Sequence, residues 1–171
     1  MKTLILGPVA SGKSTLARNL SKECSIPSFE LDKIVHDDEK KIKREEQEQR
    51  KIINKIIREN KEWIIEGMPR THLEVLSSAA TTILYLDISK KKLRKNLFLR
   101  HLKIKLGLLK VGYKADKKLY KMMLEYIEKE NYEDRKFVMT KYPSKIIILK
   151  NKKEIKKFYD AMREGEIIKY Q

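Results

Sequence analysis

The sequence predicts an α/β fold of three layers, a five-stranded parallel sheet with helices on both faces and a small helical lid. Three observations carry that prediction. Short apolar runs recur along the 171 residues and alternate with longer, charged stretches. The runs show almost no polar alternation, which is the pattern of strands buried on both faces. The first run leads directly into GPVASGKST, Gly7 to Thr15, where two glycines precede Lys-Ser-Thr.

The elements follow in order. Lys2–Leu6 reads as a buried strand and Ser14–Glu23 as a helix. Pro27–Leu31 is a second short strand. Asp38–Asn60 reads as one long charged helix, because Ile42, Ile52, Ile53, Ile56 and Ile57 recur at helical spacing. Trp63–Glu66 is a strand stopped at Gly67, and Thr71–Ala79 a helix. Ile83–Asp87 is an apolar strand. Ser89–Leu106 is helical, and Gly107 and Gly112 bracket a tip. Lys117–Lys141 reads as one helix stopped by Pro143, Lys145–Leu149 as the fifth strand, and Lys152–Glu164 as the last helix. Strand one, which feeds the glycine loop, is expected at the centre of the sheet. The whole chain, 1–171, reads as a single domain, with an acceptor region at about 32–60 and a lid at about 100–118.

Composition narrows the class. Apolar residues make up 41% and charged residues 37%, enough for a core carrying long solvated helix faces. No apolar run approaches the roughly 18 residues of a membrane span, and the start reads as a strand rather than a signal peptide. The single cysteine, Cys24, excludes an internal disulfide framework and fits a reducing compartment, so a cytoplasmic location is expected. The net charge is +16, of which +11 lies in residues 90–118: twelve Lys or Arg against Asp116 alone. Such a segment suits either a lid over a polyphosphate or a nucleic-acid contact. His36, His72 and His101 lack metal-ligand spacing. Tyr113, Tyr120, Tyr126 and Tyr132 are expected to pack on helices rather than stack on bases.

The loop matches G-x-x-x-x-G-K-[ST] through Gly7, Gly12, Lys13 and Ser14, between a strand and a helix. This is the context of the three-layer P-loop NTPase fold. The glycines let successive N–H groups converge on a phosphate at a helix N-terminus, where the dipole favours anions. Gly7, Pro8, Val9, Ala10, Ser11, Gly12, Lys13, Ser14 and Thr15 are therefore the expected ATP-binding residues. Lys13 reaches the β- and γ-phosphates, and Ser14 is placed to ligate Mg²⁺.

On the acceptor side, EWIIEGMPRTHLEVL (residues 62–75) brings Glu66 to the end of a buried strand, followed by Gly67, Pro69 and Arg70. Ligands sit beyond the carboxyl ends of strands in parallel sheets. Glu66 could hold a water of the Mg²⁺ shell, and Arg70 could grip an acceptor's phosphate or carboxylate. Asp87, ending the next strand, is either a second acid near Mg²⁺ or a cap for the following helix.

EGMPRT resembles the Asp-Gly-aromatic-Pro-Arg-Thr segment of adenylate kinases and related nucleoside monophosphate kinases. TTILYLDISKKKLRKNLFLR is similar to the strand and the helix leading into the lid in that family. The glycine loop, SFELDK and WIIEG together resemble most closely the bacterial DNA topology modulation proteins, small P-loop chains related to adenylate kinases. The resemblance implies that Asp32 faces the acceptor pocket, that Gly67 and Arg70 bind the acceptor with Glu66 near Mg²⁺, and that Arg44 touches the acceptor. It places Arg100 at the lid base as a clamp on the transferring phosphate. The arginine that the family carries four residues earlier is Asn96 here, with Arg94 two residues off, and Arg135 could supply the missing charge. The chain also lacks the Thr-Gly-Asp signature of AMP recognition and the zinc-binding lid cysteines.

The implied function is an ATP- and Mg²⁺-dependent phosphotransferase acting on a small acceptor, a nucleoside or nucleotide, with Lys13, Arg100, Arg135 and Asp32 as its catalytic groups. The alternative is a nucleic-acid-associated ATP-binding protein that uses segment 90–118. The expected partners are the small acceptor and, weakly, nucleic acid. No membrane partner is expected, and the chain is expected as a monomer or weak homodimer.

Overall fold

The computed structural model describes residues 1–163 other than 38, 110, 112, 113, 130 and 131, and describes no side chains at 71, 132–135 and 163. The strands are β1 (Lys2–Leu6), β2 (Ser28–Glu30), β3 (His36–Asp37), β4 (Ile42–Lys43), β5 (Trp63–Gly67), β6 (Thr82–Leu86) and β7 (Ile146–Leu149). The helices are α1 (Lys13–Cys24), α2 (Leu31–Val35), α3 (Glu46–Glu59), α4 (Glu74–Ala79), α5 (Lys90–Lys105), α6 (Lys117–Lys129), α7 (Tyr132–Lys141) and α8 (Lys152–Arg163).

Five strands form one parallel sheet in the order β2-β5-β1-β6-β7, so β1 is central, as expected. Both faces are covered. Leu4, Leu6, Trp63, Ile65, Ile83 and Tyr85 pack toward α2, α3, α4 and α7 through Leu31, Ile53, Leu76 and Val138. Ile5, Ile64, Leu84, Leu86, Ile147 and Leu149 pack toward α1 and α8 through Leu16, Leu20 and Phe158. Alternate residues of one strand thus serve two cores, which is why the strands carry so little polar alternation. A third, smaller cluster joins Leu93 and Leu97 of α5 to Ile127 of α6, with Val9 and Ala10 of the glycine loop against it.

Two elements differ from the sequence expectation. The helix expected from Asp38 begins at Glu46. Before it, the chain makes the short helix α2 and a two-stranded antiparallel hairpin, β3–β4. Arg44 holds this segment: its Nη1 donates to the carbonyls of Lys33, Ile34 and His36, and its Nη2 pairs with Asp37 at 3.1 Å. The helix expected over Lys117–Lys141 is two helices, α6 and α7, which belong to different cores. Ile127 joins the α5 cluster, whereas Val138 joins the sheet. The Gly112 end of the expected tip lies outside the described residues. Of the tyrosines expected to pack, Tyr120 lies against His101 with ring centroids 4.9 Å apart, whereas Tyr126 is exposed.

Candidate active site

The glycine loop leaves the C-terminal end of β1 and enters α1. Gly7 has φ 149°, and a Cβ there would lie 2.9 Å from the carbonyl oxygen of Leu86, so only glycine fits between β1 and β6. Gly12 caps α1 with φ 101° and has open space on its Cα side. The first N–H groups of any helix lack acceptors within it. Here they are those of Lys13 and Ser14, at the mouth of the loop.

Lys13 is half-buried and its Nζ donates to the Pro8 carbonyl at 2.9 Å, closing the loop on itself. Burial holds its pKa below the ordinary lysine value, Glu66 and Asp32 oppose that by attraction, and Arg100 adds to it by repulsion. That set draws on four separate segments of the chain. Ser14 Oγ donates to Glu66 Oε1 at 2.7 Å. Glu66 is 6% exposed at the end of β5, in register with Glu30 of β2. Burial raises its pKa, the Ser14 hydroxyl and the Lys13 charge lower it, and Glu30 and Asp32 raise it again. Ser11 Oγ, lining the same loop, is buried without a hydrogen-bond partner among the described residues.

Beside this cluster lies a second. Asp32, in the first turn of α2, faces Arg70 Nη2 at 3.4 Å, a loose pair. Arg70 Nε is buried and unpartnered among the described residues. Beneath Arg70 is a small apolar recess lined by Leu6, Leu31, Met68, Leu73 and Val138. Gly67 makes the close approach possible, because a Cβ there would stand 2.5 Å from Leu31 Cβ. On the far side of the recess, Glu74 of α4 accepts from the Tyr142 hydroxyl at 2.8 Å and pairs with Lys141, tying the end of α7 down.

The structure therefore brings together Lys13, Ser14, Glu66, Asp32 and Arg70, and sets Arg100 within electrostatic reach of Lys13. It does not bring Arg44 to the group: that guanidinium holds the backbone of α2 and the hairpin from behind, with Glu48 3.4 Å from its Nε. Arg94 makes a two-point contact with Glu128 of α6, at 2.7 and 2.9 Å, and so ties α5 to α6. The side chain of Arg135 lies outside the described residues. Asp87 ends β6 beside the loop, its N–H bonded to Leu149.

Sequence reasoning missed one contact. Asn96 Nδ2 donates to the Ala10 carbonyl at 3.0 Å, fastening α5 to the glycine loop. The available signal was spacing: Asn96 lies one helical turn before Arg100 and shares its face.

No protein-family model matches the chain, and no curated protein matches its sequence. Solved structures do match it. The chain is similar to a shikimate kinase from Bacteroides thetaiotaomicron, with a TM-score of 0.56 and 16% identity over 95% of this chain and 96% of that one. It is also similar to a gluconokinase from Sinorhizobium meliloti 1021, with a TM-score of 0.52 and 12% identity over 99% and 97% of the two chains. At such identities the likeness establishes the shared fold, the parallel five-stranded sheet with helices on both faces.

Proposed function

We propose that the chain is a P-loop small-molecule kinase that moves the γ-phosphate of ATP to an oxygen of a small acceptor: a nucleoside, or a nucleotide or other compound bearing an anionic group. One observation supports this most. Ser14 of the glycine loop donates to Glu66 at 2.7 Å, and beside that pair Asp32 faces Arg70 at 3.4 Å, so donor-side and acceptor-side groups adjoin at the carboxyl ends of β1, β2 and β5. Two of the solved structures that share the fold are named as a shikimate kinase and a gluconokinase.

Phosphoryl transfer asks little covalent chemistry of the protein; positioning and charge carry it. Lys13 keeps one donor on Pro8 and has two more for phosphate oxygens. A bound polyphosphate favours its charged form, reversing the effect of burial. Arg100 adds positive charge from α5, and Asn96 fixes where α5 stands over the loop. Ser14 and Glu66 are the residues that would hold Mg²⁺, the carboxylate through a water; one hydroxyl with one adjacent carboxylate suits an ion that keeps most of its water. Bound there, Mg²⁺ would supply neutralisation of charge on the phosphate oxygens. Asp32 is the base candidate for the acceptor hydroxyl. Arg70, loosely paired and with a buried free Nε, exchanges Asp32 for the acceptor's carboxylate or phosphate. Within the single domain, residues 32–60 frame the acceptor and residues 100–118 form the lid that excludes water.

The test is a panel of nucleosides, nucleotides and small hydroxy acids scored for ADP formation with Mg²⁺ and ATP. One class of acceptor should raise ADP formation well above background. Arg70→Ala should then raise the acceptor KM or lower kcat by about a hundredfold, with ATP affinity nearly unchanged. A loss confined to ATP affinity would place Arg70 on the donor side and refute the assignment.

A further inference from the structure

Helix α5 is apolar on two opposite sides. Its inner side carries Leu93 and Leu97, buried against α6 and the glycine loop, together with Asn96 and Arg100. At 3.6 residues per turn, Phe98, Leu99, Leu102 and Leu106 fall on the other side. They stand in solvent: Phe98 is 55% exposed, Leu106 61%, and Leu108 just beyond the helix 73%. On the helix this outer strip runs for about 12 Å from Phe98 to Leu106, at 1.5 Å per residue. Lys103 and Lys105 flank it on either side, and Lys91, Lys92 and Lys95 continue the same face toward the helix start, all exposed. No acidic residue occurs from Lys90 to Ala115.

We propose that this outer face of α5 docks on an anionic lipid bilayer. The strip is convex, a ridge along one helix. A peptide partner is held in a groove, whereas a ridge of large apolar side chains edged with lysines is the shape that lies in a bilayer interface. Lysines at its edges place their stems over acyl chains and their ammonium groups among headgroup phosphates. A nucleic acid would engage the lysines and leave Phe98, Leu102 and Leu106 in water. A second copy of the chain would face the same cluster of positive charge with its own. The sequence expectation of no membrane partner rested on the lack of a long apolar run, and an interfacial helix needs none. Because the inner face of the same helix carries Asn96 and Arg100, docking would also fix the lid's base.

The experiment is co-sedimentation of the full chain with phosphatidylcholine vesicles, with and without roughly a third of phosphatidylglycerol. The chain should bind the anionic vesicles and not the neutral ones. Leu102→Gln with Leu106→Gln should weaken that binding at least tenfold, and so should Lys103→Gln with Lys105→Gln. Melting curves without vesicles should stay at parental values, because these side chains are exposed. Three outcomes would overturn the proposal. One is no binding to anionic vesicles at physiological salt. Another is binding that the leucine variant leaves intact while duplex DNA competes it away. The third is a concentration-dependent dimer that the leucine variant abolishes.

Discussion

Gly67→Ala adds a single methyl group at the point where β5 passes α2. Its Cβ would lie 2.5 Å from Leu31 Cβ, 3.0 Å from Leu31 Cδ2 and 3.3 Å from Leu31 Cγ. Carbon atoms settle at about 3.5–4.0 Å, so α2 and β5 must separate by roughly 1 Å. Leu31 cannot swing aside, because it is 2% exposed within the main core. Overpacking of this kind costs about 1–3 kcal/mol. For a chain of this length each kcal/mol lowers Tm by about 2–4 °C, so a fall of about 2–12 °C is expected. The displacement also falls between the two acceptor groups: Asp32 follows Leu31, and Arg70 lies just beyond Gly67. Their 3.4 Å pair should open, and a misplacement of about 1 Å can cost a hundredfold in turnover. Differential scanning calorimetry and steady-state kinetics with the best acceptor read both effects. A melting temperature within about a degree of the parent would refute the packing argument. Lost stability with intact acceptor kinetics would refute the placement of the acceptor between Asp32 and Arg70.

Lys13→Ala should abolish ATP turnover without lowering the melting temperature, because its ammonium is held in the loop against the preference of burial; appreciable turnover in the variant would remove Lys13 from the reaction. For Glu66, burial raises the carboxyl pKa, so the folded chain holds that proton more tightly than the unfolded chain. Stability from this group is therefore full below the ordinary carboxylate range and declines as pH rises through the raised folded value. Glu66→Gln should lack that decline, gaining in melting temperature on the parent as pH rises above the ordinary carboxylate range, while turnover with Mg²⁺ falls by about a hundredfold. Parallel melting-temperature profiles would show that the carboxylate is not strained by burial. Arg44→Ala should cost about 2 kcal/mol through the three carbonyls that lose its Nη1 and the lost ion pair with Asp37, which keeps the N–H groups of Glu39 and Lys40, seen as a lower denaturation midpoint. A raised acceptor KM at unchanged stability would instead put Arg44 in contact with the acceptor.

The sheet was legible because four of its five strands, β1, β5, β6 and β7, are apolar runs bounded by a turn signal or a helix, and the phosphate loop fixed the first strand in the middle. The stretch from Leu31 to Glu45 was not. Ile42 recurs at helical spacing with the later isoleucines, yet it is 53% exposed in β4 and packs in no core. What holds that segment is Arg44 bonding back to carbonyls eight to eleven residues earlier, and no local periodicity encodes such contacts. The break between α6 and α7 was hidden for a different reason. Neither glycine nor proline marks it, and only the assignment of Ile127 and Val138 to separate cores requires it. In the site, motif spacing was enough for Gly7, Lys13 and Ser14. Asn96 is different, since its partner is a loop carbonyl 86 positions away.

Charge at the site has a logic that the total of +16 conceals. Glu30, Asp32 and Glu66 gather at the carboxyl ends of β2 and β5, opposite Lys13, Arg70 and Arg100. Before phosphate arrives, the acids stabilise the buried ammonium of Lys13, which desolvation alone would push toward its neutral form. A triphosphate brings far more negative charge than those acids can tolerate beside it. It must therefore take Lys13 and Arg100 for itself, and Glu66 needs a cation between its carboxylate and the phosphates. The same displacement loosens the hold of Asp32 on its neighbours, because Lys13 no longer answers to it. Asp32 then keeps Arg70, a pair already stretched to 3.4 Å, and an acceptor anion that claims Arg70 leaves the Asp32 carboxylate free to accept from an acceptor hydroxyl. On the proposed kinase reading, the Asp32 carboxylate is free to take up the acceptor hydroxyl only when donor and acceptor are both in place, which would guard ATP against transfer to water.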